Sequence, residues 1–486
     1  MKYTVSQTAL VLAALIILNG CMKMGPDYKQ PDTGIETPES YQNAPFGPVT
    51  TIPEDRWWEV FIDPELNGLV DEVMENNLDI RKTVAQVLEI QARFVQTRAD
   101  RFPEASLQFQ AQRQRQPINI PIPGSPAGYT INSYTLSLPA SFELDLWGRL
   151  ARAEEAALAD LLTMEETRNT IAQTVVAETI TLYLQIESLE RRIQITEQNI
   201  ASFRDSVALV ERRYRRGLTS ILDLKQASRI LAQAEAVLPA LRQELGTAQQ
   251  RLAVLLGRYP ETRPPRPQPE DYFRHLEPVP PGLPSDLLLR RPDIRAAEAR
   301  LMAANARVGV AKASRFPRIS LTGSFGYNST ELDGLFSASS ELWNVALGIV
   351  QPLFNAGRLE AGQRAAEARY QQEAVEYAIT ILNGFAEVER ALLTRKEQLE
   401  RRERLLNLLR EARSTMEVAE SRYKRGLVDY LTVLDAQRTN FIAQDDLVLA
   451  DLAILSNRVA LYRALGGGWA EPAPVEPQKT HYFLWF

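Results

Sequence analysis

The feature that most constrains the fold is a very long helical run in the last third of the chain. Residues 357–423 contain no proline, and their two internal glycines stand alone without a turn partner. A continuous helix over the 67 residues 359–425 would be roughly 100 Å long at 1.5 Å per residue. The chain then turns at Gly426 and continues as a second helical stretch. An ordinary compact globule cannot contain such a helix.

The same run occurs twice, so the chain is a tandem duplication. A shift of 209 positions superimposes Gly148-Arg-Leu150 on Gly357-Arg-Leu359 and Tyr214-Arg-Arg-Gly-Leu218 on Tyr423-Lys-Arg-Gly-Leu427. A shift of 214 positions relates the earlier part of each copy, so the first copy has five extra residues between 103 and 148. A loop of variable length is therefore expected in that interval.

The first residues predict export. Lys2 precedes an apolar run of ten residues, 9–18, which is too short to span a bilayer, and the tetrapeptide Leu18-Asn-Gly-Cys21 resembles a lipobox. Cys21 is the only cysteine, so no intrachain disulfide can form, and we predict that it carries a covalent lipid. The alternative is a free cysteine in an uncleaved anchor. No other cofactor is predicted.

Composition and proline content divide the chain. The net charge of −6 and the lack of a basic block give no indication of nucleic-acid binding. Three proline-rich stretches, 22–56, 259–284 and 470–480, are predicted to be extended. The predicted organisation is a signal peptide (1–20), a lipidated extended segment (21–65), repeat 1 (66–258), a proline-rich linker (259–284), repeat 2 (285–468) and a C-terminal tail (469–486).

Each copy changes from a helical to a strand period and back. The apolar spacing predicts an amphipathic helix over 66–100, with its counterpart over 285–314. Alternation of apolar with Gln, Ser and Thr residues then predicts two β-hairpins, at about 105–146 and 318–353. Such a sheet packs on a soluble core or lies in a membrane with its apolar face toward lipid. The export signal and the length of the helices favour the membrane.

The helices are predicted to form two antiparallel coiled-coil hairpins. Helix 150–216 should pair with 219–256, and helix 359–425 with 428–465, through apolar heptads. The lengths also predict that each shorter helix is stacked end to end with the 66–100 or 285–314 helix along the long one. The second hairpin has a more polar seam, with Arg395, Arg402, Asn440 and Asn457.

Four strands cannot close a barrel, for which about eight is the working minimum. Two copies of the chain would give eight strands and a filled interior. Three copies would give twelve strands and a pore.

The sequence resembles the TolC-like outer-membrane factors of tripartite efflux pumps that work with resistance-nodulation-division transporters. The resemblance covers essentially the whole mature chain and rests on several motifs together: Gly25-Pro-Asp-Tyr28, Trp57-Trp58, Arg290-Arg-Pro-Asp-Ile-Arg295, Arg315-Phe-Pro317, Leu353-Phe-Asn-Ala-Gly-Arg358, Tyr430-Leu-Thr-Val-Leu-Asp-Ala-Gln-Arg438 and Ala464-Leu-Gly-Gly-Gly-Trp469.

The resemblance implies a mainly α protein with transmembrane β-structure. The expected assembly is a homotrimer with a twelve-stranded β-barrel in the outer membrane of a Gram-negative bacterium, continuous with a long periplasmic α-helical barrel. The implied function is the exit duct of an efflux pump. The expected partners are a periplasmic adaptor protein, which would contact Gly217, Leu218, Gly426 and Leu427, and an inner-membrane resistance-nodulation-division transporter.

A periplasmic gate is predicted at Leu431, Asp435 and Arg438. Their spacing puts them on one helical stripe that points away from the coiled-coil seam. They match the stripe that forms the constriction in the family, and the alternative is a solvated i, i+3 ion pair. A latch between Asp223 and Tyr423 or Arg425 is a weaker prediction.

Enzymatic function has little support in the sequence. The two histidines, His275 and His481, and the single cysteine do not form a nucleophile–base pair or a metal-ligand set, so neither catalytic nor metal-binding residues are predicted. The remaining alternatives are a duct for type I protein secretion and a scaffold lipoprotein that does not conduct. The sequence does not identify the cargo, and a metal-exporting pump stays possible.

Overall fold

The structure is a computed structural model that describes residues 23–44, 56–117, 128–268, 279 and 287–467. The predicted lipid anchor, both histidines and the C-terminal tail lie outside these residues. Within the described part, no helix is both long and apolar enough for a membrane span.

The helices follow the repeat closely. They are α1 Pro64–Asn76, α2 Leu78–Ala99, α3 Arg149–Arg215, α4 Ile221–Leu255, α5 Leu287–Arg290, α6 Pro292–Ala313, α7 Arg358–Lys424 and α8 Tyr430–Ala464. The long helices α3 and α7 both have 67 residues, and α4 and α8 both have 35. The predicted long helices and their shorter partners are confirmed.

The prediction of one helix over residues 66–100 is wrong, because the chain breaks at Asn77 between α1 and α2. The Asn77 side-chain oxygen accepts hydrogen bonds from the backbone N–H groups of Asp79 and Ile80 at 2.9 and 3.1 Å and so caps α2. Its side-chain amide donates to the carbonyl of Leu255 at 2.8 Å. The end of α4 therefore meets the start of α2, eleven residues inside the predicted 66–100 helix and not at its first residue.

The second copy has the same joint built from another residue. The predicted helix 285–314 breaks at Arg291, which lies 214 positions after Asn77, and Pro292 opens α6. The Arg291 guanidinium donates to the carbonyl of Ala464 at 2.9 Å and pairs with Glu387 at the same distance. In each copy a buried polar side chain thus satisfies the last carbonyl of the shorter helix.

The strands form one antiparallel sheet. They are β1 Glu104–Ala105, β2 Gln108–Pro117, β3 Gly128–Leu144, β4 Arg318–Ser329 and β5 Glu341–Val350. Both β1 and β2 pair with β3, β3 pairs with β4, and β4 pairs with β5. The two predicted hairpins, β2–β3 and β4–β5, are confirmed.

The register of the sheet collects the apolar residues on one face. Phe109 lies opposite Leu136, which lies opposite Tyr327, and a second row contains Leu138, Phe325 and Trp343. These side chains are exposed or half-buried in the single chain. Polar residues meet on the other face, where the Asn328 amide donates to the Thr135 hydroxyl at 2.6 Å. An uncovered apolar face of this extent is typical of a surface that contacts lipid or another protein.

The helical hairpins have the predicted seams. We call α3 with α4 hairpin 1 and α7 with α8 hairpin 2. Hairpin 1 buries aliphatic side chains and one phenylalanine along its seam, which include Ile186, Leu189, Ile193, Ile200, Phe203, Leu241 and Leu245. Hairpin 2 is more polar, as predicted, because Arg402 pairs with Asp451 at 2.5 Å and the Asn457 amide donates to the carbonyl of Ala391 at 2.9 Å.

The chain divides into two compact units that cut across the repeats. Unit 1 contains the described residues within 1–34, 86–165 and 296–378, and therefore the sheet. Unit 2 contains the described residues within 35–85, 166–295 and 379–486, and therefore the hairpin turns.

An extended N-terminal segment is held within unit 1. The guanidinium of Arg152, which is only 1% exposed, donates to the carbonyls of Met24 and Gly25 and pairs with Asp27 at 2.8 Å. Gly25 has a φ of +88°, and a Cβ there would lie 2.7 Å from the Cα of Gly309. Residues 24–27 of the predicted extended segment thus pack closely against α3 and α6.

The start of the proline-rich linker is held within unit 2. Its backbone N–H groups at Arg263, Arg266 and Gln268 donate to the side chains of Gln249, Glu190 and Gln194 at 2.8–3.1 Å. Side chains of α3 and α4 therefore supply the hydrogen-bond partners that an extended segment cannot provide for itself.

Candidate functional site

The turns of the two hairpins, here called tip 1 (216–220) and tip 2 (425–429), have the same geometry. Gly217 and Gly426 have φ values of +69° and +75°, which favour glycine. At tip 1 the N–H of Leu218 donates to the carbonyl of Arg213 at 3.0 Å, and at tip 2 that of Leu427 donates to Arg422 at 3.0 Å. Both are Schellman C-caps, in which the glycine ends the long helix.

The returning helices start with acidic or hydroxyl caps. Ser220 and Asp223 form a capping box at the start of α4, and Asp429 accepts from the N–H of Thr432 at 3.0 Å at the start of α8. Burial opposes ionisation of Asp223, but hydrogen bonds from Thr219 and Ser220 outweigh it and hold the pKa of this carboxyl below its usual value. Hydrogen bonds from Thr432 likewise lower the pKa of Asp429.

One arginine joins the two tips within the chain. The guanidinium of Arg213 donates to the carbonyls of Tyr423 and Lys424 at 3.1 and 3.3 Å and lies 4.7 Å from the centre of the Tyr423 ring. These carbonyls are at the C-terminus of α7, where the helix dipole favours a cation. The Tyr423 ring also packs on Tyr430, the first residue of α8, with centroids 5.3 Å apart. Arg213 therefore stabilises tip 2, the turn between α7 and the predicted gate residues of α8.

The predicted gate residues lie on the uncovered face of α8. Leu431 is 59% exposed, whereas the nearby seam residues Val433 and Ala436 are 3% and 5% exposed. The Arg438 guanidinium pairs with the Asp435 carboxylate at 3.1 Å, and both side chains are exposed. The structure thus places the stripe away from the seam, as the spacing required. Its role as a gate stays a prediction.

The predicted latch is not formed within one chain among the contacts of the described residues. Asp223 bonds Thr219 and Ser220 in its own turn, while Tyr423 is buried under Arg213. A latch between different copies of the chain stays a prediction.

Sequence reasoning missed Arg213 as a residue that links the hairpins. In the sequence Arg213 stands among Arg212, Arg215 and Arg216 at the end of α3, and nothing local distinguishes it from them. The position of Tyr423 on the neighbouring hairpin decides which of the four reaches the other hairpin, and no local pattern contains that information. No group of acidic, histidine or cysteine side chains suitable for a metal ion occurs among the described residues.

The geometry, a membrane-type sheet combined with long coiled-coil hairpins, defines an outer-membrane channel component. The family model "Outer membrane efflux protein" matches residues 69–258 and 283–467, which together make up most of the chain. The chain therefore belongs to the outer membrane efflux protein family.

Individual relatives agree over nearly the full length. The solvent efflux pump outer membrane protein SrpC of Pseudomonas putida is 36% identical over 470 residues, 95% of this chain and 98% of SrpC. The cation efflux system protein CusC of Escherichia coli K12 is 33% identical over 465 residues, 94% of this chain and 99% of CusC. The MtrE outer membrane channel of Neisseria gonorrhoeae, crystallised in its open state, is 29% identical with a TM-score of 0.81, and the match covers 93% of this chain and 100% of MtrE.

These comparisons confirm the predicted fold class, the outer-membrane location and the function. The protein is the outer-membrane component of an efflux pump. The relatives are channel and transport proteins.

Proposed function

We propose that three copies of this chain form a gated exit duct that takes cargo from an adaptor and an inner-membrane transporter. The sheet supports the number of copies. Its outer strands β2 and β5 both have ten residues and could pair with each other between chains. Because β1 and β2 both lie along the same edge of β3, one chain is four strands wide. Three copies would therefore close twelve strands around a pore, whereas two would give an eight-stranded barrel filled by side chains.

The observation that carries the gating proposal is the contrast along the first turns of α8. Leu431, Asp435 and Arg438 are exposed, whereas the seam residues beside them are buried. Around a threefold axis, three copies of Leu431 and three of Asp435 would form an apolar ring and an acidic ring. Such rings would block flow and favour cations. The Arg438 partner would reduce the repulsion between the carboxylates.

The gate is tested with the double variant Leu431→Ser and Asp435→Ala in planar bilayers. We expect a higher resting conductance and lower cation selectivity without loss of the trimer. The matched control is Leu222→Ser with Gln226→Ala, which changes the equivalent positions of hairpin 1, where no carboxylate is present. Wild-type conductance and selectivity in the α8 variant would exclude these residues as the gate.

The tips are proposed to dock the periplasmic adaptor. Leu218 and Leu427 are 63% and 66% exposed next to the capping glycines, although neither side chain is needed for the caps themselves. Exposed leucines surrounded by basic residues suit a partner that offers an apolar contact with an acidic rim.

The N-terminus is proposed to be lipid-anchored through Cys21. Residues 24–27 pack against Arg152 and Gly309 within unit 1, the unit that contains the membrane sheet. Cys21 precedes this segment by only three residues, so a lipid on its thiol would remain close to that unit.

The cargo is proposed to be chosen by the inner-membrane transporter. SrpC is named for solvent efflux and CusC for cation efflux, although each is about one third identical to this chain. Similar ducts thus serve chemically different cargo.

A further inference from the structure

Within the chain, hairpin 1 contacts hairpin 2 through a stripe of α3 that repeats every seven residues. The stripe consists of Arg192, Asn199, Ser206 and Arg213. Arg192 pairs with Asp445 at 2.7 Å, the Asn199 amide donates to Gln444 at 3.1 Å, and the Gln437 amide donates to Ser206 at 3.1 Å. With the Arg213 contacts at the tips, these bonds form one continuous lateral interface.

The duplication supplies a second set of the same positions. A shift of 209 residues takes the α3 stripe to Arg401, Leu408, Thr415 and Arg422 on α7. The reverse shift takes the partners Asp445, Gln444, Gln437 and Tyr423 to Ala236, Glu235, Ser228 and Tyr214 on hairpin 1. The bounds of α3, α4, α7 and α8 obey the same shift, so both sets lie on equivalent helix faces.

The two sets differ in exposure. Every member of the first set is buried or half-buried, whereas every member of the second is exposed. The tyrosines show the contrast best, because Tyr423 is 5% exposed and its equivalent Tyr214 is 40% exposed. One copy of the chain therefore has both surfaces of this second interface, one on α7 and one on hairpin 1, but they are not in contact with each other.

We propose that the α7 stripe Arg401, Leu408, Thr415 and Arg422 docks onto hairpin 1 of a second copy of the chain, with the register of the interface within the chain. This inference rests on the proposed closed assembly. In a closed ring of alternating hairpins, each contact from hairpin 1 to hairpin 2 lies within a chain, and each contact from hairpin 2 to hairpin 1 joins two copies.

At the tips, the proposed contact between copies has the same chemistry as the contact inside one chain. Arg422 and Tyr214 have both residue types of the Arg213–Tyr423 pair. The guanidinium of Arg422 can therefore cover the tyrosine ring and donate to the last carbonyls of the second copy's α3. One heptad further along, Thr415 faces Ser228, and two hydroxyls can share a hydrogen bond where Ser206 bonds Gln437.

The other end of the register is less polar than its equivalent within the chain. Arg401 faces Ala236 where Arg192 faces Asp445, so the ion pair is absent and the aliphatic part of the arginine packs on a methyl group. Leu408 faces Glu235, whose carboxylate already pairs with Arg204 at 2.7 Å. The contact between copies thus has its strongest polar bonds at the tips.

Cross-linking of the full-length protein in membranes tests the register. A variant with Thr415→Cys and Ser228→Cys, treated with a short bis-maleimide, is expected to run as a covalent trimer on a denaturing gel. The matched control, Ser206→Cys with Gln437→Cys, changes the equivalent pair within one chain and should cross-link without a change in oligomeric size. The single-cysteine variants measure any contribution from Cys21.

A register control separates a specific contact from mere proximity. Thr415→Cys with Gln233→Cys places the second cysteine at the equivalent of Ile442, on the face of the helix that the interface does not use, and should give little covalent trimer. Equal yields from the 228 and 233 pairs would overturn the proposal. If the trimer conducts and the 206–437 pair cross-links but the 415–228 pair does not, the proposed contact is also wrong. The proposed function would be unaffected by that result. If native mass spectrometry gives the mass of a single chain, both the proposed contact and the proposed trimeric duct are wrong.

Discussion

Replacement of Arg213 by alanine should make hairpin 2 easier to release from hairpin 1. In the structure one guanidinium bonds two carbonyls at the end of α7 and covers the Tyr423 ring. The proposed gate residues lie on hairpin 2, so we expect the channel to open by an outward movement of this hairpin, which would have to break these contacts. The variant removes them in advance, so the resting conductance should rise.

The magnitude follows from the contacts. Charge-assisted hydrogen bonds contribute about 1.5–3 kcal/mol, and a cation over an aromatic ring about 0.5–1 kcal/mol. Arg213 is half-exposed, and water replaces part of what is lost, so we take about 2 kcal/mol for each chain. Because about 1.4 kcal/mol corresponds to a factor of ten, the equilibrium for release of hairpin 2 should shift roughly 30-fold in each chain.

Single-channel recording of the purified trimer measures this shift as open probability. Arg212→Ala is the matched control, since it removes an exposed arginine from the same helical turn. Arg213→Lys should give an intermediate result, because an ammonium keeps the charge but not the flat stacking surface. If Arg213→Ala and Arg212→Ala have the same open probability, the Arg213 contacts do not restrain hairpin 2.

Three further outcomes are expected. Intact-mass spectrometry should show a mature chain that begins at an acylated Cys21, and Cys21→Ser should lower the yield of trimer more than the conductance of the trimers that form; an unmodified thiol would contradict the anchor. Leu218→Asp with Leu427→Asp should leave thermal stability nearly unchanged but lower adaptor-dependent efflux, and unimpaired efflux would remove the docking role of the tips. Asn77→Ala should reduce the free energy of unfolding by about 1–2 kcal/mol per chain, because a helix cap is lost and the carbonyl of Leu255 loses its donor; an unchanged unfolding midpoint would show that this joint adds no stability.

The sequence predicted the long helices well because each is defined by a continuous apolar period with a glycine C-cap at its end. The α1–α2 break was missed because the apolar spacing continues across it. Asn77 followed by Leu78 and Asp79 is nevertheless a helix-start signal, and Pro292 after Arg291 is another. Both local signals were available but were outweighed by the period.

The contacts between hairpins could not be predicted in the same way. The partner of Arg213 is more than two hundred positions away and depends on how two hairpins pack side by side. The repeat contained a usable hint, since Arg213 with Tyr423 and Arg422 with Tyr214 are the same residue pair in two settings. Only the structure shows that one pair is formed within the chain.

The two ten-residue outer strands of the sheet also constrain how the protein reaches its membrane. Among the described strands, β2 and β5 each pair on one side only, so about half of their backbone N–H and C=O groups face outward without a partner. Each such group costs several kcal/mol in lipid, so a lone inserted chain would carry a penalty on the order of tens of kcal/mol. Insertion must therefore be coupled to the meeting of chains, and biogenesis should depend steeply on how many newly exported copies are present together in the periplasm.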